Sequence, residues 1–338
     1  MIHAAVIGYG YWGPNLVRNL LQHQGFSLDA ICDQNPARLQ LAATHHPGIK
    51  LTTDAMQLMQ NEHLNVIVIA TPVSLHYSLA MAAIKHGKHV LLEKPMTSDY
   101  DQAIQLKTEA EKRNLVLMVD HVFLYNGVVR RIKELIEKDY FGDILYIDAT
   151  RINLGIFQND VNVLWDLATH DLSIVNYFLN EMPVSVSAIG KCHTANHIEN
   201  LAYLTLNYSD QKIVHIQSSW TSPVKVRRMM IGGAKKMMIY DDIEPTEKLK
   251  VYDHGFLLPD GKDPDQMRVD YRTGDIFVPK YDTTEPLALM IKDLFNAITT
   301  GNSPVSDALS GLNIIKILTA SNYSLRERGK EIFIKDVN

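Results

Sequence analysis

Apolar and polar positions fall into a regular block pattern over the first third of the chain. Short apolar runs at Ile2–Ile7, Leu28–Cys32, Ile49–Leu51, Asn65–Ala70, Val90–Leu92 and Leu115–Val119 have the length of buried strands. Between them apolar residues recur at helical spacing, as at Leu16, Val17, Leu20 and Leu21. Asn35 followed by Pro36 predicts a capped helix through Ala43, and Asp54 starts another containing Met56, Leu58 and Met59. A helix opening at Ser74 or Leu75 runs to about His86, where Gly87 ends it, and Asp99–Arg113 forms the next. Six strands with short helical crossovers predict a doubly wound parallel sheet.

After Asp120-His121 the alternation fades. Val128–Lys138 is amphipathic, with Val128, Ile132, Leu135 and Ile136 on one face, and Gly142–Arg151 reads as a strand. Asn162–Leu179 carries a helical pattern. Val184–Tyr240 reads as several strands, including Ile213–Ser218 and Val224–Ile231, with turns at Ser209-Asp210 and Gly232-Gly233. Asp241–Thr284 reads as loops and short strands, Glu285–Thr299 and Ser306–Arg326 as helices, and Lys330–Ile334 as a last strand. The expected fold is α/β: a Rossmann domain over 1–120, then an α+β domain over 121–338 on an open, mostly antiparallel sheet.

The first strand runs into Gly8-Tyr9-Gly10-Tyr11-Trp12-Gly13 and then Pro14, suited to the first turn of a helix. This is the full dinucleotide fingerprint in its strand–turn–helix context. Gly8 allows the tight turn, Gly10 lets backbone N–H groups approach a pyrophosphate, and Gly13 lets helix pack on strand. Tyr11 and Trp12 lie within the same cofactor-binding loop. Asp33, 20 residues past Gly13, follows the second strand, where an acid accepts hydrogen bonds from an adenosine ribose and repels a 2′-phosphate. NAD is therefore expected over NADP, with Arg38 nearby as the one residue favouring a phosphate.

Thr71-Pro72 and Glu93-Lys94-Pro95 end two more strands, and ligands of open α/β sheets bind beyond the carboxyl ends of strands. Lys94 is then either a group in the chemistry or a loop lysine paired with Glu93. His76 stands either near a nicotinamide or on a helix surface.

Composition narrows the function classes. The 338 residues are 46% hydrophobic and 21% charged, with net charge −5 and a pI of about 6.3. That balance disfavours broad capture of nucleic acid. No apolar stretch approaches the ~18 residues of a membrane span. Cys32 and Cys192 lack metal-type spacing, no metal is expected, and two thiols fit a reducing, cytoplasmic setting.

Gly8-x-Gly10-x-x-Gly13, Ala70-Thr71-Pro72 with His76, and Gly87-Lys88-His89-Val90 through Glu93-Lys94-Pro95 together resemble the Gfo/Idh/MocA family of oxidoreductases. The resemblance covers essentially the whole chain. It implies that Lys94 lies in the active site, that Glu93 shapes the nicotinamide pocket, and that the second domain often mediates oligomerisation. A homodimer or homotetramer through the C-terminal sheet is expected.

In the second domain the segment Trp165-Asp166-Leu167-Ala168-Thr169-His170-Asp171 stands out. On a helix Asp166 and His170 share a face, so a carboxylate could hold one imidazole nitrogen and leave the other for substrate. A capping aspartate beside a satisfied histidine is the plainer reading. The family pattern Asp-x-Gly-x-His is met at Asp166 and His170, although Ala168 replaces the glycine. Ser173 stands where the family often has an aspartate, and Asp171 follows the histidine directly. Arg151-x-Asn153-Leu154-Gly155 and Asn162–Asp166 resemble the branch acting on nucleotide-linked sugars. Arg151, Asn153, Trp165, Asp166 and His170 are accordingly the expected substrate residues, Arg151 and Asn153 being otherwise an ordinary strand-end pair. Lys225, Arg227, Arg228, Lys235 and Lys236 form a basic cluster that reads as a solvated sheet face or a diphosphate contact. Met229, Met230, Met237 and Met238 read as core or subunit interface.

The function expected is NAD-dependent hydride transfer at a sugar hydroxyl carbon, the sugar being nucleotide-linked, with Lys94 and His170 as acid and base and Asp166 beside them. An NADPH-dependent ketoreductase and an inositol or free-sugar dehydrogenase are the rival enzymes. An NAD(H)-sensing regulator is the rival outside catalysis, disfavoured because a sensor needs no acid–base set.

Overall fold

The structure is a computed structural model and describes residues 1–155, 157–158, 160–257 and 270–337. It divides into two compact units, one of residues 1–125 with 284–316, the other of 126–283 with 317–337.

The first unit is built on β1 (Ile2–Ile7), α1 (Gly13–Gln22), β2 (Phe26–Cys32), α2 (Pro36–His45), β3 (Lys50–Thr52), α3 (Ala55–Met59), β4 (Val66–Ile69), α4 (His76–Lys85), β5 (His89–Leu92), α5 (Tyr100–Lys112) and β6 (Leu117–Val119). The six strands are parallel in the order β3-β2-β1-β4-β5-β6. Their apolar runs are continuous because both faces are covered: every residue of β4, Val-Ile-Val-Ile, is fully buried. The helix starts are set as the sequence implied. Asn35 accepts from the Ala37 N–H, Asp54 from Met56 and Asp99 from Gln102. The strand order reverses at β1 and β4, and the carboxyl ends there form the ligand crevice of such sheets.

Residues 284–316 belong to this unit, not to the second domain in which the sequence boundary had placed them. The helix Pro286–Thr300 buries Leu287, Met290, Ile291 and Leu294, and Phe295 meets Phe26 edge-on at 5.8 Å. Arg18 donates to both carboxylate oxygens of Glu285, at 2.9 and 2.6 Å. The Tyr125 hydroxyl donates to Asp293 at 2.7 Å, and Val119 N donates to the Ser306 carbonyl at 2.9 Å. These ties link positions far apart in sequence, which is why local patterning does not show them.

The second unit contains α6 (Gly127–Glu137), β7 (Ile144–Leu154), α7 (Thr169–Leu179), β8 (Ser185–Lys191), β9 (Leu201–Asn207), β10 (Ile213–Ser219), β11 (Thr221–Gly233), β12 (Met237–Asp241), β13 (Leu249–Tyr252), β14 (Gly255–Leu257), β15 (Asp270–Arg272), β16 (Ile276–Phe277) and β17 (Ile332–Phe333). Nine strands pair in the order β16-β13-β12-β11-β7-β10-β9-β8-β17, with β7–β10 parallel and the other pairs antiparallel. Alternation is clean in β9, where Ala202, Leu204 and Leu206 are fully buried and Tyr203 faces outward. Met229 and Met238 are core residues. Part of the excursion expected over Asp241–Thr284 lies outside the described residues; the remainder supplies β13 to β16.

Candidate active site

The fingerprint loop is set by contacts that leave no room for a side chain. Gly8 has φ +99°, and a Cβ on it would stand 2.3 Å from the Ala70 carbonyl oxygen. A Cβ on Gly13 would stand 2.2 Å from the Gly8 carbonyl oxygen. Gly10 differs: a Cβ there would meet nothing within 4 Å. No protein atom requires its bareness, so it suits close approach by a bound group, and the α1 terminus beyond it has no side-chain cap. The Asp33 carboxylate is anchored at the end of β2 by the N–H groups of Tyr9 at 2.7 Å and Asn35 at 2.8 Å. Gly8, Gly10, Asp33, Thr71, Pro72 and Leu75 line a cleft of about 330 Å³. Tyr11 is 85% exposed and Trp12 meets it edge-on, while Arg38 is exposed. Burial beside Asp33 and Asp54 pushes the Cys32 thiol up to about 11, so it is inert at neutral pH.

Two strands away, β5 delivers buried Glu93 and part-exposed Lys94 just past its carboxyl end, and the Lys94–Pro95 bond is cis. His76 is neither on a helix surface nor open to a ligand. It is fully buried, with Nδ1 2.8 Å from the Pro95 carbonyl and Nε2 2.9 Å from the Thr71 carbonyl. It ties the two X-Pro loops together, and burial lowers its pKa. A neutral imidazole donates to only one of these carbonyls at a time.

Sequence reasoning passed over Asp120 and His121, noting them only as the place where the alternation stops. They follow β6 as Glu93 and Lys94 follow β5, and that matched position was the available signal. Asp120 is 3% exposed, hydrogen-bonds the Glu93 side chain, and is pushed by burial up to about 6. His121 is 1% exposed and neither ring nitrogen has a hydrogen-bond partner among the described residues. Burial, with the charge of Lys94 nearby, pulls it down to about 3.

In the second unit Asp166 and His170 do not share one continuous α-helix. Leu164–Ala168 forms a π turn that runs into α7, and His170 lies in the first turn of that helix. Such wide turns are rare and concentrate at functional sites. The Trp220 indole donates to Asp166 Oδ2 at 2.9 Å, and buried Trp165 packs within the same turn. Arg151, expected to reach a substrate, is 3% exposed and donates twice to Asp171 at 2.9 Å. That bidentate pair commits Arg151 to the fold, and it accounts for the aspartate directly after His170. Asn153, two residues on, is part-exposed. The basic cluster is largely neutralised within the sheet: Arg228 pairs with Asp241 at 3.0 Å, Arg227 with Asp242 at 3.5 Å, and Lys236 with Asp253 at 3.4 Å.

Residues 2–121 match the model of an oxidoreductase family with an NAD-binding Rossmann fold, and residues 129–239 match the GFO/IDH/MocA C-terminal domain. The chain belongs to the Gfo/Idh/MocA family. Its first unit is an NAD-binding Rossmann domain, and the family places it among NAD(P)-dependent oxidoreductases acting on CH–OH groups. It is 28% identical over 322 residues to a UDP-N-acetylglucosamine 3-dehydrogenase of Acidithiobacillus ferrooxidans, covering 93% of this chain and 95% of the relative. The solved structure of that enzyme superposes with a TM-score of 0.79 over 97% of this chain and 99% of its own. An inositol 2-dehydrogenase of Rhodococcus jostii is 24% identical over 55% of this chain and 52% of its own length. The structure of GenD2, from gentamicin A biosynthesis and in complex with NAD, is 19% identical with a TM-score of 0.82, covering 98% of this chain and 96% of its own.

Proposed function

We propose that this Gfo/Idh/MocA protein oxidises, or in reverse reduces, one hydroxyl-bearing carbon of a nucleotide-linked sugar, with NAD as hydride partner. The observation that carries the reading is Lys94, held just past the end of β5 on the same sheet end as the fingerprint cleft and Asp33. NAD would lie along Gly8, Gly10, Gly13 and Asp33, and when bound it supplies the hydride acceptor. The Asp33 carboxylate accepts from ribose hydroxyls and repels a 2′-phosphate, which favours NAD over NADP.

As the carbinol carbon loses its hydride, its hydroxyl proton passes to Lys94 or His170; in reduction the same groups return it. A positioned acid–base group of this kind is worth about 10²–10⁴-fold. In the second unit Asp166 is held by the Trp220 indole, which donates to its Oδ2. The substrate class rests on the UDP-N-acetylglucosamine 3-dehydrogenase, which this chain matches over nearly its full length. Arg151 is buried and donates from Nε and Nη2 to Asp171, which supports a structural role for it over a substrate contact.

The test is NADH formation with UDP-N-acetylglucosamine, free N-acetylglucosamine and myo-inositol in parallel. NADH from the nucleotide sugar alone is expected. Turnover of a free sugar or of inositol at a comparable rate would move the substrate class to the other branch. NADH binding without turnover of any compound would favour a sensor.

A further inference from the structure

We propose that His3, Asp29 and His63 form a binding site for a divalent transition ion of the zinc class, in the first unit and away from the coenzyme cleft. The site stands independently of the role given to Lys94.

Three separate segments bring the donors together. His3 lies in β1, Asp29 in β2, and His63 in the connection that precedes β4. Asp29 reaches the site through an irregularity of the sheet. Ala4 pairs with Leu28 and Ala5 with Ala30, so Asp29 is the extra residue of a bulge. Bulges are rare in parallel pairs, and they re-aim a side chain. Main-chain ties hold the other two donors. His3 N donates to Asn65 Oδ1 at 2.8 Å, Asn65 N donates to the His3 carbonyl at 2.8 Å, and His63 N donates to Asn61 Oδ1 at 3.1 Å.

Asp29 Oδ2 lies 2.8 Å from His3 Nδ1 and 3.8 Å from His63 Nε2, and the three donor atoms all fall within 4.8 Å of one another. Bonds from zinc to nitrogen and oxygen of about 2.0–2.2 Å give a tetrahedron with edges of about 3.3–3.6 Å. The two separations bracket that length, so small side-chain adjustments close the set about an ion. The other carboxylate oxygen is already engaged: Ser27 Oγ donates to Asp29 Oδ1 at 2.7 Å, which turns Oδ2 towards the histidines. A hydrogen bond between His3 and Asp29 accounts for one contact. It does not account for His63, whose ring centroid lies 3.8 Å from that of His3. Two imidazoles converging on one carboxylate oxygen suit zinc, as they suit copper or nickel. The side chains are 26%, 24% and 65% exposed, so an ion can enter from solvent and keep water in its remaining position.

The expectation of no metal rests on cysteine spacing, which is blind to a set drawn from positions 3, 29 and 63. His3 stands five residues before Gly8, about 16 Å along an extended strand. An ion there touches neither coenzyme nor reacting carbon. It clamps β1, β2 and the approach to β4, and its effect falls on the stability of the parallel sheet.

The experiment uses the full-length, metal-stripped protein, with Zn²⁺ alone in calorimetric titration and Co²⁺ alone as the spectroscopic probe. Wild type should bind one equivalent of Zn²⁺ and give the visible bands of four-coordinate Co²⁺. Its Tm should rise by about 3 °C at Zn²⁺ about 100 times the Kd. His63→Ala and Asp29→Asn should each lose at least about tenfold in Zn²⁺ affinity, and the gain in Tm with it, while NAD affinity is unchanged. His86→Ala, which alters an exposed histidine elsewhere in the same unit, should leave Zn²⁺ binding as it is. A wild type that binds no equivalent of Zn²⁺ overturns the site, as does wild-type affinity in either His63→Ala or Asp29→Asn. An equal loss in His86→Ala would mark the binding as scattered surface coordination and would overturn it too.

Discussion

A histidine with both ring nitrogens buried and unbonded carries a desolvation cost of about 1–3 kcal/mol, and His121 is such a residue. Its folded pKa of about 3 lies below the ordinary value of 6.5. Between those limits the unfolded chain binds a proton that the folded one refuses, so stability rises with pH through this window and is lost on acidification. From pH 7 to pH 5 the residue should account for about 2 kcal/mol of that loss. His121→Phe removes the titration, and urea titrations at the two pH values should show a correspondingly flatter dependence. An unchanged loss on acidification would mean that the ring is not held neutral. Arg151 shows the opposite limit of residue-scale reading. Its sequence context, a strand end near a family motif, suggested substrate, and its partner Asp171 lay 20 positions away on another element. Spacing could not reveal that pair.

At the scale of elements the first unit was readable because its signals are local. Caps, apolar runs and the three glycines each report on atoms within one strand–turn–helix unit, and the structure follows them to within a few residues. Asp33 closes that unit. Asp33→Ala should weaken NAD affinity by about tenfold or more while NADP changes little, since an anchored carboxylate pairing with ribose is worth roughly the 1.5–3 kcal/mol of hydrogen bonds to a charged group. Fluorescence titration with both coenzymes reads this, and an unaltered NAD/NADP ratio would take Asp33 out of cofactor choice. The π turn at Leu164–Ala168 was not legible. Its apolar residues fit α-helical spacing equally well, and the hydrogen-bond partner of Asp166 within it, the Trp220 indole, lies 54 residues away.

For the whole molecule, the two units and their sheet types were legible, but the return of residues 284–316 to the Rossmann unit was not. Segment composition does not say which of two cores a helix joins. The nine-stranded sheet keeps one face open, with Ile189 57% and Tyr203 41% exposed as cross-strand partners. We propose that this face pairs two copies of the chain. Ile189→Asp with Tyr203→Glu should then lower the mass seen by light scattering to that of a monomer; an unchanged oligomer would place the interface elsewhere, and a wild-type monomer would remove it.

Within this frame the decisive residue is Lys94, and the most direct measurement is kcat and NADH affinity of Lys94→Ala under one set of conditions, once a turned-over sugar is in hand. The account predicts coenzyme binding within a few-fold of wild type and turnover lower by about 10²-fold or more. Turnover near the wild-type rate, with binding intact, would contradict it.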